Sequence, residues 1–292
     1  MRQILKWIAI SLGSIAAAGV GILLGLFLLG KVKAGDRPDF AVHAPLIPAD
    51  QASVARGRHI AEAVALCTEC HQNGLRGRNL GFPSLVARVV APNLTSGEGG
   101  VGGRYTAYDW DRAIRHGIAK DGRKLVLMPS EYYAEMTDSD FAALVAFLNA
   151  LTPVDNELPA SRIGVLGSAL IGSGRFPFPA DVLNHDEVGQ TVVTRGVTAE
   201  YGSYLVTLGN CRGCHGPELR GTANRIGPPP APNLVDSTRN WSADDFRKTI
   251  RSGRTPAGRT LDPQKMPWPR LANLTDAELD AVFEYVRSIA TR

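Results

Sequence analysis

The 292-residue sequence holds few of the side chains that carry chemistry: four cysteines, six histidines and four methionines, one of them Met1. Aromatic residues make up only 7%. No stretch shows the apolar–polar alternation of a half-buried strand, which argues against a sheet-built core. The formal charge of +4 is slight and scattered, so there is no basic stripe to bind nucleic acid. At 44% apolar and 21% charged the composition is that of a globular protein, without general disorder. Four cysteines would suffice for two disulfides. They fall instead in two tight pairs, "CTECH" and "CRGCH", each closed by a histidine.

Charge is missing altogether from Ile8 to Gly30, a run of 23 residues preceded by Arg2, Lys6 and Trp7. As a helix rising ~1.5 Å per residue it spans roughly 34 Å, slightly more than a ~30 Å hydrocarbon core. A signal h-region is usually ~7–15 residues, so the run reads as a retained anchor. The competing reading is a cleaved signal, with "VKA" ahead of Gly35 as its processing site. Lys31 and Lys33 balance Arg2 and Lys6, which blurs the positive-inside rule. Either way, the rest of the chain is expected outside the cytoplasm, in the periplasm if the anchor crosses an inner membrane.

Beyond a Pro-rich tether, the sequence contains itself twice. "RGRHIAEAVALCTECHQNGLRG", "APNL", "YDWDRAIRHGIAKDGR", "LMP" and "MTDSDFAALVAFLNAL" recur in order as "RGVTAEYGSYLVTLGNCRGCHGPELRG", "APNL", "DDFRKTIRSGRTPAGR", "KMP" and "LTDAELDAVFEYVRSI". The offset is 144 residues at the cysteines, 140 at Pro-Asn-Leu, 136 at Ile114/Ile250 and 138 at the methionines. Those drifts are loop-length changes in a duplicated unit. The expected organisation is an anchor over 1–34, a tether over 35–53, units over 54–152 and 195–292, and a connector over 153–194. Phe141, Leu144, Val145 and Leu148, and again Leu279, Val282, Phe283 and Val286, repeat with helical period. Thr137 with Asp140, Thr275 with Glu278 and Ser242 with Asp245 have capping-box spacing. Gly117 and Gly253 are natural helix stops. The apolar connector "LPASRIGVLGSALIGSGRFPFPAD" is too short to span a membrane and is expected to pack on the first unit.

Cys-x-x-Cys-His is the attachment signature of c-type haem. Two thiols add to the porphyrin vinyl groups, and the adjacent imidazole is held beneath the ring as an iron ligand. Cys67, Cys70 and His71 form one such set, and Cys211, Cys214 and His215 the other. A thioredoxin-like pair needs a strand–helix context that neither motif has. A zinc site needs further ligands, or the two pairs combined across the units. Met128 and Met266 follow their histidines by 57 and 51 residues, each before a proline and just ahead of the last helix of its unit. A thioether suits haem iron and raises its potential relative to a second imidazole. Repetition in register makes these the candidate sixth ligands, whereas the unrepeated Met136 is read as packing.

On these motifs the chain resembles the cytochrome c family, as a membrane-anchored dihaem cytochrome c. It is also similar to cytochrome subunits of bacterial alcohol and gluconate dehydrogenases, which share "CxxCH", "PNL" and "MP". The resemblance implies an all-α fold, two tandem class I cytochrome c domains, with helices over about 54–66 and 138–150 in the first and about 196–210 and 275–289 in the second. It implies two covalent haem c groups. It also implies a proline carbonyl that accepts a hydrogen bond from the ligand histidine: Pro92 and Pro232 are the candidates, with Pro228 to Pro230 as rivals in the second unit. Asn93 and Asn233 suit a turn, and Trp268, with Tyr132 as its approximate counterpart, suits packing or a propionate contact. His59 and His116 suit surface or satisfied positions, and His43 and His185 precede the units at similar distances.

With both irons carrying two protein ligands, outer-sphere electron transfer is the expected role. The expected setting is the periplasmic side of the membrane, between a quinol-oxidising complex or dehydrogenase and a terminal acceptor. The alternatives are a subunit fixed in a dehydrogenase or oxidase complex, or a dihaem enzyme of peroxidase or thiosulfate dehydrogenase type. Four propionates set against the formal +4 leave the reduced holoprotein near neutrality.

Overall fold

The computed structural model describes residues 1–223 and 230–290. Helix α1 (Arg2–Gly35) carries the uncharged run and is long and apolar enough to cross a membrane. The first unit then contributes α2 (Gln51–His59), α3 (Cys67–His71), α4 (Ala107–Ile114), α5 (Ser130–Tyr133) and α6 (Asp138–Asn149). The connector holds α7 (Val165–Gly172). The second unit contributes α8 (Ala199–Leu208), α9 (Cys211–His215), α10 (Leu234–Ser237), α11 (Ala243–Ser252), α12 (Trp268–Leu271) and α13 (Asp276–Ala290). Strand structure among the described residues is confined to four two-residue pieces. Of these, β1 (Arg78–Asn79) pairs with β3 (Val90–Ala91), and β2 (Ala87–Arg88) pairs with β4 (Arg162–Ile163), both antiparallel.

Each unit is closed by a helix pair, α2 on α6 and α8 on α13, and each pair crosses at a glycine. A Cβ at Gly57 would stand 1.9 Å from the Ala143 carbonyl oxygen, and one at Gly202 the same distance from that of Ala281. Only a bare backbone fits there. Aligning the units on these glycines exposes a difference. Nine residues separate Gly57 from Cys67, and eight separate Gly202 from Cys211. The additional residue is taken up as a π turn over Ile60–Val64, where Ala65 N–H donates to the Ile60 carbonyl at 2.7 Å.

The two units meet across a seam with approximate two-fold logic. Arg56 and His59 on α2 occupy the places of Tyr201 and Tyr204 on α8, and Asp140 and Glu278 correspond at the starts of α6 and α13. Each acid accepts from the first position of its own unit: Arg56 donates to Asp140 at 3.0 Å and Tyr201 to Glu278 at 3.3 Å. Each also accepts from the second position of the other unit: His59 Nε2–H donates to Glu278 at 2.7 Å, and the Tyr204 hydroxyl to Asp140 at 2.9 Å. Arg56 reaches across to Glu278 as well, at 3.1 Å. The seam alters one capping box. Thr275 and Glu278 cap α13 reciprocally, as do Ser242 and Asp245 for α11. In α6 the Thr137 side chain caps Asp140 N–H, but Thr137 N–H donates to the Tyr204 hydroxyl, which in turn holds the Asp140 carboxylate.

The connector runs over the first unit as expected, through β2–β4 and through bonds such as Asn93 to the Val154 carbonyl and Lys124 to Asp181, while its α7 packs on α1. The tether is folded down as well: Asp36 pairs with Lys124 at 2.9 Å, Phe40 stacks on His185, and the His43 carbonyl accepts from Arg115. His185 Nε2–H donates to the Ala180 carbonyl, so its Nδ1 accepts from His116 Nδ1–H at 2.8 Å. Burial, with help from His185 and neighbouring arginines, pushes His116 down to about 4.

Two outcomes test this packing. Replacing Gly57 or Gly202 by alanine should lower stability by about 1–3 kcal/mol through overpacking, read as a fall in Tm; a glycine on an open helix face would instead gain ~1 kcal/mol. At the seam, burial favours the neutral form of Glu278, but His59, the Thr275 amide and Arg56 overcome it and hold the carboxyl at about 2 instead of 4.5. A depressed carboxyl stabilises the fold fully above its unfolded pKa and loses that contribution as the pH falls from about 5 toward 2. The difference is worth on the order of 3 kcal/mol, so Glu278→Gln should flatten the acid side of the stability profile measured by thermal melts. Equal acid slopes for the two proteins would contradict this assignment.

Candidate functional site

Both attachment motifs form a single helical turn, α3 and α9, in which the cysteines stand at i and i+3 and the histidine at i+4. Each turn is entered through a left-handed residue, Leu66 (φ 51°) or Asn210 (φ 51°). Asparagine tolerates that backbone and its side chain caps the Gly213 amide. Leucine has neither advantage, and sits there because the surrounding structure holds it.

His71 and His215 are buried, at 7% and 6% exposure. Their Nδ1 atoms lie 2.8 Å from the Pro92 carbonyl and 2.9 Å from the Pro232 carbonyl. A carbonyl can only accept, so both Nδ1 atoms carry the proton and both Nε2 atoms keep a free lone pair. Burial holds both imidazoles below the ordinary histidine value, against the opposing pull of the proline carbonyls. Each is therefore a neutral imidazole at pH 7. Of the rival prolines, Pro228 and Pro229 lie outside the described residues, and the bond is made by Pro232.

The Pro-Asn-Leu segments are returned to the histidines by the loop after each motif. Gly77 N–H donates to the His71 carbonyl at 2.9 Å and Leu94 N–H to that of Leu75 at 2.8 Å; Gly221 and Leu234 do the same for His215 and Leu219 at 2.8 and 2.9 Å. Gly77 (φ +80°) and Gly221 (φ +89°) lie so close to that segment that a Cβ would stand 2.5 Å from Asn93 N and 2.8 Å from Asn233 N. The sequence marks these glycines only by the repeated Leu-Arg-Gly at an offset of 144. The asparagines shape turns. Asn93 donates to the Val154 carbonyl at 2.7 Å, and Asn233 caps Asp236 N–H at 3.1 Å.

Met128 and Met266 are half-buried, each one proline ahead of a short helix, α5 or α12. Their carbonyls accept from Ser130 N–H at 2.8 Å and Trp268 N–H at 2.7 Å. Ser130 and Trp268 are thus equivalent, and they rest on the equivalent glycines, Gly117 and Gly253. Tyr132 is not the counterpart of Trp268; by register it matches Arg270. Trp268 Nε1–H donates to the Leu261 carbonyl at 3.2 Å. Arg270 crosses the seam to Glu69 inside the first attachment motif, at 3.0 Å. Met136 is fully buried core.

Cys67, Cys70, His71, Met128, Cys211, Cys214, His215 and Met266 all line one continuous cavity of about 520 Å³ whose walls are mostly aliphatic and aromatic. Burial pushes the Cys67 thiol up to about 12 and the Cys211 thiol up to about 11. Neutral thiols in an apolar pocket are poor zinc ligands, which bind as thiolates. Among the described residues no group of three or more His, Cys, Asp or Glu converges as a metal site would require. The donor set fits haem c instead: two thiols for two vinyl groups, a neutral imidazole with a bare Nε2, and an apolar shell. Trp110 Nε1–H, buried without a partner and on the cavity wall, leaves one donor for a polar edge of the group.

Comparison with known proteins points to the same cofactor. Residues 54–152 and 199–290 match the family described as cytochrome c. The chain is 28% identical over 267 residues to a fructose dehydrogenase cytochrome subunit from Gluconobacter japonicus, covering 84% of this chain and 54% of that one. It is 30% identical over 278 residues to an alcohol dehydrogenase (quinone) cytochrome c subunit from Gluconacetobacter polyoxogenes, covering 82% and 57%. It is 28% identical over 224 residues to a diheme cytochrome c-type protein from Cereibacter sphaeroides, covering 68% and 71%. The chain thus spans little more than half the length of the two dehydrogenase subunits. Two attachment motifs on matching helices, two neutral histidines, one apolar cavity and two matched regions place this chain in the cytochrome c family, as a dihaem electron-transfer protein.

Proposed function

We propose that this chain is a dihaem electron carrier held at the periplasmic face of the cytoplasmic membrane by α1, with His71 and Met128 as iron ligands in the first unit and His215 and Met266 in the second. The observation that carries the reading is that both ligand sets line the same cavity, so the two cofactors are neighbours across the seam. When bound, haem c supplies reversible one-electron redox chemistry. The chain's own residues do the rest. Pro92 and Pro232 fix the tautomer and ring orientation of the histidines, which strengthens them as ligands. The apolar walls limit water, and with it the effective dielectric around each iron. A methionine in both units leaves neither iron a vacant position, which favours a carrier over a peroxidase or thiosulfate dehydrogenase.

The anchor reading is supported by packing. Gly30 of α1 is buried against the Ser168 backbone of α7, with room for no side chain. A leader destined for removal needs no such partner. The electron donor is proposed to be a dehydrogenase or quinol-oxidising complex. The names of the dehydrogenase relatives favour the closely related reading of a subunit fixed in such a complex.

An absorption spectrum with haem stoichiometry tests the ligands. The holoprotein should carry two covalent haems, show the Met–Fe(III) charge-transfer band and bind no carbon monoxide. Met128→Ala and Met266→Ala should each halve that band and open one of the two haems to carbon monoxide. Carbon monoxide binding by the unaltered protein would move the enzyme reading forward. Native electrophoresis of detergent-solubilised membranes separates the other two readings: a carrier migrates alone, whereas a fixed subunit comigrates with a dehydrogenase.

A further inference from the structure

Helix α7 is apolar all round, "VLGSALIG", without one charged or strongly polar side chain. A helix of that composition belongs in a protein core or in lipid. Only one face of α7 is covered. Gly167, Ser168, Ile171 and Gly172 are buried, while Val165 and Leu166 are 62% and 49% exposed. Phe176, just past the helix, and Leu85, whose carbonyl accepts from Leu166 N–H, are 41% and 69% exposed.

The covered face meets the anchor. A Cβ on Gly30 would stand 1.8 Å from the Ser168 carbonyl oxygen, and one on Gly172 would stand 1.9 Å from that of Leu26. Ser168 and Gly172 are one turn apart, as are Leu26 and Gly30, so the helices run antiparallel through a small-residue contact of the kind that joins helices within membranes. Gly30 ends the uncharged run, and Leu26 lies a turn, ~6 Å, further into it. Helix α7 therefore descends the anchor below the level where the charges stop. Several of the backbone groups at its ends are also closed without water. Leu166 and Ser168 N–H donate to the Leu85 and Gly164 carbonyls at 2.9 Å. The Ala169, Leu170 and Ile171 carbonyls accept from Ser173 N–H, Ser173 Oγ and Gly174 N–H at 2.9, 2.8 and 3.0 Å. Lipid demands such closure. Arg162 and Arg175, both exposed, bracket the helix on stems long enough to keep their charge among headgroups.

We propose that α7 and the turn after it are embedded in the leaflet facing the cytochrome units, making the connector a second, monotopic membrane contact that seats the first unit on the bilayer. Interfacial helices of this kind sit ~5–10 Å deep, which agrees with the descent along α1. The inference rests on α1 being a retained anchor.

The test uses the full-length holoprotein in phosphatidylcholine–phosphatidylglycerol vesicles containing a phospholipid with a diazirine in its acyl chain. After irradiation, mass spectrometry of peptides should find adducts both in the 8–30 run and at Val165, Leu166 or Phe176. Adducts in the anchor alone overturn the proposal and leave the anchor reading standing. Adducts in neither overturn both. A nitroxide on Val165→Cys checks the same point independently, with Val192→Cys, at a residue 87% exposed, as the aqueous reference. The Val165 label should be at least several-fold more accessible to oxygen than to a nickel chelate, relative to the Val192 label. A label open to nickel, or shielded from both by a second copy or another protein, overturns the proposal.

Discussion

Two buried carboxylates decide how the halves of this molecule face each other. Asp140 and Glu278 stand at the starts of the closing helices, 2% and 5% exposed, where an unpaired charge would cost several kcal/mol. Each takes donors from its own unit and from across the seam: Arg56 on one side with Tyr204 and Arg195 on the other for Asp140, and Tyr201 and Thr275 on one side with His59 and Arg56 on the other for Glu278. Separating the units would take Tyr204 and Arg195 from Asp140 and His59 and Arg56 from Glu278, so the seam costs buried polar partners when it opens. The common cavity depends on it, since the two attachment motifs line one space only while the closing helices stay in register. The cross-seam bond from Arg270 to Glu69, inside the first attachment motif, ties the cofactor site itself to that register.

The chemistry of the sites was legible because it is local. Cys-x-x-Cys-His needs nothing beyond one helical turn, and the capping threonines mark where α6 and α13 begin. The Pro92 and Pro232 contacts followed from the family resemblance, and the geometry places both carbonyls on the histidine Nδ1 atoms. What escaped is what requires two segments to meet. The π turn over Ile60–Val64 leaves no residue-type signature, and shows only when the units are aligned on Gly57 and Gly202 and not on the cysteines. His59 reads as an ordinary helix-surface histidine until α13 is brought beside it. Tyr132 reads as only an approximate counterpart of Trp268, and the register set by the methionines pairs Trp268 with Ser130 instead.

The connector was harder still. Its composition says apolar and glycine-rich, which fits a surface strap as well as it fits a lipid-facing hairpin. The decisive information is the spacing of small residues on two distant segments, Gly30 against Ser168 and Gly172. No periodicity within either segment predicts that match.

The tether between α1 and α2 has a consequence for how a partner is met. Fully stretched, its 15 residues, 36–50, would reach roughly 50 Å, a leash long enough for the haem units to sweep a wide arc above α1. That leash is fastened instead. Lys124, almost wholly buried, holds Asp36 on the tether and Asp181 on the connector at once, at 2.9 and 2.5 Å, and Phe40 is stacked on His185 a few residues on. The capture radius of the units is therefore close to their own size. With α1 in a bilayer, encounter is governed by the lateral drift of the whole molecule, and a partner must present its redox centre at one fixed height and bearing.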